Sequence, residues 1–180
     1  MVRKLGPGFM ANSTTYEVQR TNNFEVIVSD LPEILTLAVE SFPLPTVSTS
    51  PIEVAYGNSK VKVAGSPEFS DGDLVVKDFI TADIEKIIND WHRKVYNPKS
   101  DKIGWAAEYK KTVTVNEFGP NGEFVRSWIL EGAWPSNVAY GDMSYESADK
   151  KNITMTLTYD KGYRDDDQAP NSSVNTGTAE

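Results

Sequence analysis

The sequence predicts a mainly β domain: an antiparallel β-sandwich or barrel with one flanking α-helix at about residues 81–95 and a long β-hairpin. Three observations carry that expectation. Apolar and polar residues alternate with period two in successive short runs, the pattern of half-buried strands. Turns rich in Gly, Pro and Asn separate those runs. One segment alone, TADIEKIINDWHRKVYNP, repeats its apolar residues strongly at helical spacing.

The elements follow in order. Residues 1–21 are rich in Gly, Pro and Ser/Thr without a sustained period and read as an N-terminal arm. The domain proper is expected over 22–161, with a polar acidic tail over 162–180. NFEVIVSD sets Phe24, Val26 and Val28 against Glu25, Ile27 and Ser29, a strand with one buried face. LTLAVES repeats the pattern with Leu37 and Val39 on one face, and LPEI supplies the intervening turn.

SFPLPTVSTSP interrupts regular structure with its prolines. IEVAYGNSKVKVAG, Ile52 to Gly65, then forms two alternating runs about a Gly57-Asn58-Ser59 tip. Ile52, Val54, Val61 and Val63 share one face; Glu53, Lys60 and Lys62 share the other. An exposed edge of that kind invites pairing with another chain. A hairpin folded back on its own core fits the same pattern.

DLVVKDFI reads as a strand. The helix places Ile80, Ile84, Ile87, Ile88, Trp91 and Val95 on one face, with Thr81 or Asp78 as cap and Asn97-Pro98 as stop. EYKKTVTVNEF and EFVRSWILEGAW flank the turn GPNG as antiparallel strands. MSYES and NITMTLTYD are expected to pair around ADKK. In GAWPSNVAYG, Trp134 is an apolar anchor and Pro135 ends a strand, a structural corner that redirects the chain. RDDDQAPNSSVNTGTAE is disordered by composition.

Composition narrows the function. With 180 residues, 39% of them hydrophobic, the chain suits one globular domain with a sizeable core. A formal charge of -8 argues against sequence-independent nucleic-acid binding, which depends on Lys and Arg displacing counterions. Lys110-Lys111 and Lys150-Lys151 are too small for a basic stripe. The absence of cysteine excludes disulfides and thiolate chemistry and fits a reducing cytoplasm or a particle assembled there. MVRKLGPGFM lacks the apolar core of a signal peptide, and no apolar run reaches membrane-spanning length, so no membrane binding is expected.

Catalytic chemistry is not expected. His92 is the only histidine, and the sequence pairs it with neither a nucleophile nor an orienting carboxylate. Zinc would need more His or Cys ligands than the chain offers. Asp71-Gly72-Asp73 lacks the distal ligands of a calcium loop, and Asp165, Asp166 and Asp167 read as a solvated charge run. Gly6-Pro7-Gly8 has neither the preceding strand nor the following helix of a phosphate loop. No metal or cofactor is expected. Trp105, Trp128, Trp134, Tyr140 and Tyr145 would suit a stacking platform for a sugar or a base, although aromatics at alternating strand positions more often form core or subunit interface.

NNFEVIVSD, KVKVAG before EFSDGDLVVKDF, the helix with Trp91, AEYKKTVTV, EGAWPSNV and ITMTLTYD occur in consistent order from Asn23 to Tyr159. Together they resemble the tail tube protein of contractile-tailed bacteriophages. That family is related to the inner tube proteins of type VI secretion and extracellular contractile injection systems. The resemblance implies hexameric rings stacked helically into a hollow tube inside a contractile sheath, with inner strands of neighbouring subunits joined into one barrel. The tube is the channel for DNA delivery into the host. The implied setting is the virion, in the phage tail, assembled in the host cytoplasm.

The implied partners are further copies of the chain, the tail sheath protein, the baseplate and tail terminator proteins, and a tape measure protein inside the lumen. DNA would pass without specific binding. Leu44 to Phe69 would be the element that stacks one ring on the next, with Ile52, Val54, Tyr56, Asn58, Lys60, Val61 and Val63 at its core. The arm from Met1 to Thr21 and the tail from Gly162 would contact neighbours.

Physical reasoning supports that reading. A ring of continuous strands removes exposed edges, and head-to-tail contacts that do not close along the axis make a filament. An acidic wall repels phosphates; Glu25, Glu40 and Glu53 are the candidate lumen-facing acids. The alternatives are the inner tube of a bacterial contractile injection system, and a soluble carbohydrate-binding β-domain built on the aromatics.

Overall fold

The computed structural model describes residues 19–146 and 149–165. Strand β1 (Phe24–Val28) buries Val26 and Val28 and leaves Ile27 outside, as its alternation predicts. The next element departs from expectation. Ile34–Ala38 is a short helix, α1, and only Val39–Ser41 is strand, β2. Leu35 and Ala38 are the buried pair, three residues apart, whereas Leu37 is 72% exposed. Pro32 starts the turn: its carbonyl accepts from Leu35 N at 3.0 Å and Glu33 O accepts from Thr36 N at 3.0 Å, so period three displaces period two.

The hairpin is longer than expected at both ends. It comprises β3 (Thr46–Tyr56) and β4 (Ser59–Ser70) around a two-residue tip, Gly57-Asn58. Gly57 has φ 62, a left-handed conformation that favours glycine. Pairing runs from Thr46↔Ser70 to Tyr56↔Ser59, with a register shift between Thr49 and Pro51. There β4 carries one extra residue, and a Cβ on Gly65 would lie 2.5 Å from Ser50 O. The two strands form a sheet of their own.

Strand β5 (Gly72–Lys77) leads to the main helix, α2 (Ile84–Val95), which begins later than the expected residue 81. Phe79 O accepts from both Ala82 N and Asp83 N, which makes residues 79–83 a turn and leaves Ile80 fully exposed outside the helix. The cap is Asp83, whose carboxylate accepts from Lys86 N at 3.0 Å, rather than Thr81; Asp78 Oδ1 also accepts, from Glu85 N at 3.4 Å. Ile84, Ile88 and Trp91 are its buried stripe. Past Val95, β6 (Tyr96–Asn97) pairs with β7 (Lys102–Ile103), and a helical turn, α3 (Ala106–Tyr109), takes the first two residues of the expected EYKKTVTVNEF strand. The Trp91 indole donates to Tyr109 O at 2.8 Å, tying α2 to that turn.

The remaining strands are β8 (Lys111–Phe118), β9 (Phe124–Ala139), β10 (Asn152–Thr158) and β11 (Lys161–Asp165). All ladders are antiparallel, and the main path is β1-β8-β9-β10-β5-β2, with β11 also on β9. Three expectations change here. Pro135 lies inside β9 and does not terminate it. Met143–Glu146 form no strand; β10 takes β9 and β5 as partners instead of MSYES, whose Ser147 lies outside the described residues. The segment expected as tail from Gly162 starts with β11, so ordered sheet extends to Asp165. The arm over 1–18 and the tail over 166–180 lie outside the described residues.

The path curls until its two ends face one another across a cleft lined by Phe24 and Val26 of β1 and by Val39 and Phe42 at β2. Inside it, Leu74, Val76, Val113, Val115, Leu130, Ile153, Met155 and Leu157 pack with the apolar stripe of α2. Among the described residues, no helix is long and apolar enough to cross a membrane.

Candidate functional site

Among the described residues, the hairpin presents a surface that internal packing does not explain. On the hairpin, Ile52 pairs with Val63 and Val54 with Val61, so these four side chains share a face. They remain 54%, 46%, 47% and 50% exposed, respectively. Tyr56 stands more exposed still, beside the Gly57-Asn58 tip. The opposite face pairs Glu53 with Lys62 and Ala55 with Lys60. Lys60 Nζ lies 2.8 Å and Lys62 Nζ 3.9 Å from the Glu53 carboxylate. The hairpin is thus not folded back on its own core. A two-stranded ribbon in water is marginal by itself, and its apolar face offers roughly 25 cal/mol per Å² to any partner that covers it.

A second surface is the outward face of the row β1-β8-β9-β11. Register places Glu25 beside Asn116, Ile27 beside Thr114, Thr114 beside Ile129, and Ile129 beside Tyr163. Asn116 Nδ2 donates to Glu25 at 3.4 Å, and the Tyr163 hydroxyl donates to Glu131 at 2.8 Å. That bond to Glu131, with desolvation behind it, pushes the Tyr163 phenol above its ordinary value. The face is polar with scattered apolar side chains, suited to water.

The three candidate acids are not brought together. Glu25 is on this outward face, Glu40 is on β2 in the other half of the path, and Glu53 is on the hairpin. Glu40 is ion-paired with Lys150, and that bond holds its carboxyl below the usual range against an opposing desolvation. Glu53 is occupied by its lysines.

Trp134 and Pro135 sit where β9 changes neighbours. Lys111↔Ala133 is the last pair with β8 at that end, and Thr158↔Trp134 opens the pairing with β10. A register shift between Thr156 and Leu157 gives β9 an extra residue, Ser136, next to the proline, so the missing donor falls at a bulge. Pro135 is buried, and the Trp134 ring meets Tyr109 edge-on at 5.6 Å. Gly132, at φ 68, lies against Asp160, whose carboxylate holds Lys110 Nζ at 2.7 and 2.8 Å.

The other candidates are dispersed. His92 is half-buried on α2 beside Trp91. Asp73 accepts from Thr156 Oγ1 at 2.8 Å. Trp128 donates to Glu117 at 2.7 Å, Tyr140 donates to Asn89 at 3.4 Å, and Trp105 and Tyr145 project into solvent. Among the described residues, no two of the five candidate platform rings touch, and no group of three or more His, Asp or Glu could hold a metal. Sequence reasoning missed the contacts at the hairpin root, made by Tyr159, Phe69 and Pro45. The proline-rich approach to the hairpin was their only signal.

Comparison with known proteins bears on these surfaces. The family described as T4-like virus tail tube protein gp19 matches residues 20–162. The chain is 28% identical to tail tube protein gp19 of Enterobacteria phage T4 over 146 residues, covering 78% of this chain and 89% of that protein. It is 27% identical to its counterpart in Enterobacteria phage T6, with the same coverage. Among solved structures, a chain of the sheath/tube terminator of the extracellular contractile injection system PVC superposes with TM-score 0.62 at 18% identity, over 85% of this chain and 99% of that one. A chain of the anti-feeding prophage tube-terminating cap gives 0.59 at 16% identity, over 83% and 91%. These two share the fold. The match over residues 20–162 spans nearly the whole described region, and the chain therefore belongs to the T4-like virus tail tube protein family, structural and not catalytic components of the phage tail.

Proposed function

We propose that this chain closes into hexameric rings which stack helically into a hollow tube inside a contractile sheath, the channel for DNA delivery into the host. The observation that carries the reading is the detached hairpin with its exposed aliphatic face. Ile52, Val54, Val61 and Val63 supply the contact with the adjacent ring, while Tyr56 and Asn58 at the tip and Lys60 on the charged face orient it.

Lateral closure has its own support. The row β1-β8-β9-β11 alternates direction at every step, so its two end strands are antiparallel. Joining rows end to end in neighbouring copies continues that alternation around a ring and leaves no edge. The outward face would then line the lumen with Glu25, Glu131 and neutral polar groups, a wall to which phosphates do not adhere. Glu40 and Glu53, each neutralised by lysine, would add little to that field. Trp134 and Pro135 act as the corner around which β9 passes from one half of the subunit to the other.

The tail sheath, baseplate and tail terminator proteins are the proposed partners of the assembled tube, with a tape measure protein within it. The arm expected over Met1 to Thr21 and the tail expected from Gly162 would contact neighbouring subunits. The sequence relatives at 27–28% identity are phage proteins, which favours a phage tail over a bacterial injection system. Scattered aromatics leave the carbohydrate-binding alternative without a platform.

Negative-stain microscopy of the purified chain or of a tail fraction tests the proposal. Rings or rods of stacked hexamers are expected; a monodisperse monomer in every condition, including the particle, would overturn it.

A further inference from the structure

The hairpin leaves the body through a root that is built to hold it in one direction. Tyr159 follows β10, is only 7% exposed, and touches both strands of the hairpin. Its hydroxyl accepts from the backbone N–H of Thr46, the first residue of β3, at 3.2 Å. Its ring packs on Phe69, next to the last residue of β4, with centroids 5.9 Å apart.

Two proline–glycine contacts flank this grip. Pro45 lies so close over Gly162 of β11 that a Cβ there would be 2.5 Å from the proline ring and 3.1 Å from Tyr159. Pro43 covers Gly72 of β5 in the same way, at 2.4 Å. The two prolines restrict the chain just before the hairpin begins. Asp160, the next residue, is anchored by its N–H to Glu131 O at 3.0 Å and by Lys110 at its carboxylate. The clamp therefore stands on the rigid junction of β9, β10 and β11.

We infer that Tyr159 is a positioning residue: with Phe69, Pro45 and Gly162 it fixes the angle at which the hairpin projects. A hairpin of two strands has no third element to steer it, and a change of angle at the root is magnified along 11 and 12 residues of strand to a large displacement at the tip. The consequence for ring stacking rests on the assembly reading above; the clamp itself does not.

The test uses Tyr159→Phe in the full chain, which removes the hydroxyl and keeps the ring. The sequence has no cysteine, so spin labels at Asn58→Cys and Lys94→Cys report the distance from tip to body without background labelling. In the unassembled chain, Tyr159→Phe should exchange the Thr46 amide about fivefold faster, the factor one hydrogen bond is worth. The label distance distribution should broaden at nearly unchanged Tm. An unchanged distribution and exchange rate would overturn the clamp. So would a wild-type Thr46 amide that exchanges like open peptide, a measurement that needs no variant. Gly162→Ala, which forces Pro45 away, should shift the distribution in the same assay. A broadened distribution combined with rods of wild-type yield would keep the clamp and refute the hairpin as the stacking element.

Discussion

The hairpin and the barrel carry the same kind of sequence and do opposite things with it. Val113 and Val115 on β8 alternate with polar residues and are buried in the core. Val61 and Val63 on β4 alternate in the same way and stay half-exposed, because β3 and β4 pair only with each other. Alternation specifies that one face must be covered. What covers it depends on the presence of a second layer, and among the described residues the hairpin has none.

This contrast can be broken from either side. The largest effect on the body is expected from Trp91→Ala, which empties a fully buried site and removes the donor to Tyr109 O. A loss of about 3–5 kcal/mol is expected, read as reduced Tm and denaturation midpoint. Val61→Glu with Val63→Glu should do the reverse. Both sites are open to solvent, so folding stability should move by no more than about 0.5 kcal/mol per site, while rods disappear from micrographs. Wild-type rods from that double variant would remove the hairpin from the stacking contact.

Gly132→Ala probes the seam between the two halves of the body. A side chain there meets Asp160 at 2.3 Å and needs the left-handed conformation, so a cost of about 1–3 kcal/mol is expected in chemical denaturation. Equal stability of variant and wild type would show that the seam relaxes freely.

The smallest expected effect is electrostatic. Lys150 holds the Glu40 carboxyl below its ordinary value. Its contribution is therefore present above the unfolded glutamate value of about 4.3 and is lost as pH falls through the lower folded value. Lys150→Met should lower Tm slightly at neutral pH and leave it unchanged in strong acid, which flattens the dependence of Tm on pH below about 4.3. A steeper acid dependence in the variant would contradict this.

Much of the body was legible because local pattern and burial agree there. β1, the two faces of the hairpin, the turn at Gly119–Gly122 and β10 follow directly from period two. The segment over Leu35–Ser41 misleads because LTLAVES also satisfies period three, and only the packing of Leu35 and Ala38 into the core selects helix. Pro135 misleads for a different reason. A proline ends a strand unless the register can slip at that point, and the slip depends on β10, a partner that follows Pro135 in the chain. β11 was hidden in a polar stretch since it pairs through its backbone along β9, which polar side chains do not prevent.

By itself the sequence determined the fold class, the faces of the hairpin, the acidic charge and the family, because alternation, turn residues and motif order are properties of neighbouring residues. Tertiary structure alone decided that the hairpin stands free of the core, that Tyr159 grips its root, and that Glu25, Glu40 and Glu53 lie on three separate surfaces. Those outcomes depend on which strands become neighbours in space, and pairing across more than a hundred residues, as between Thr46 and Tyr159, leaves no local trace in the chain.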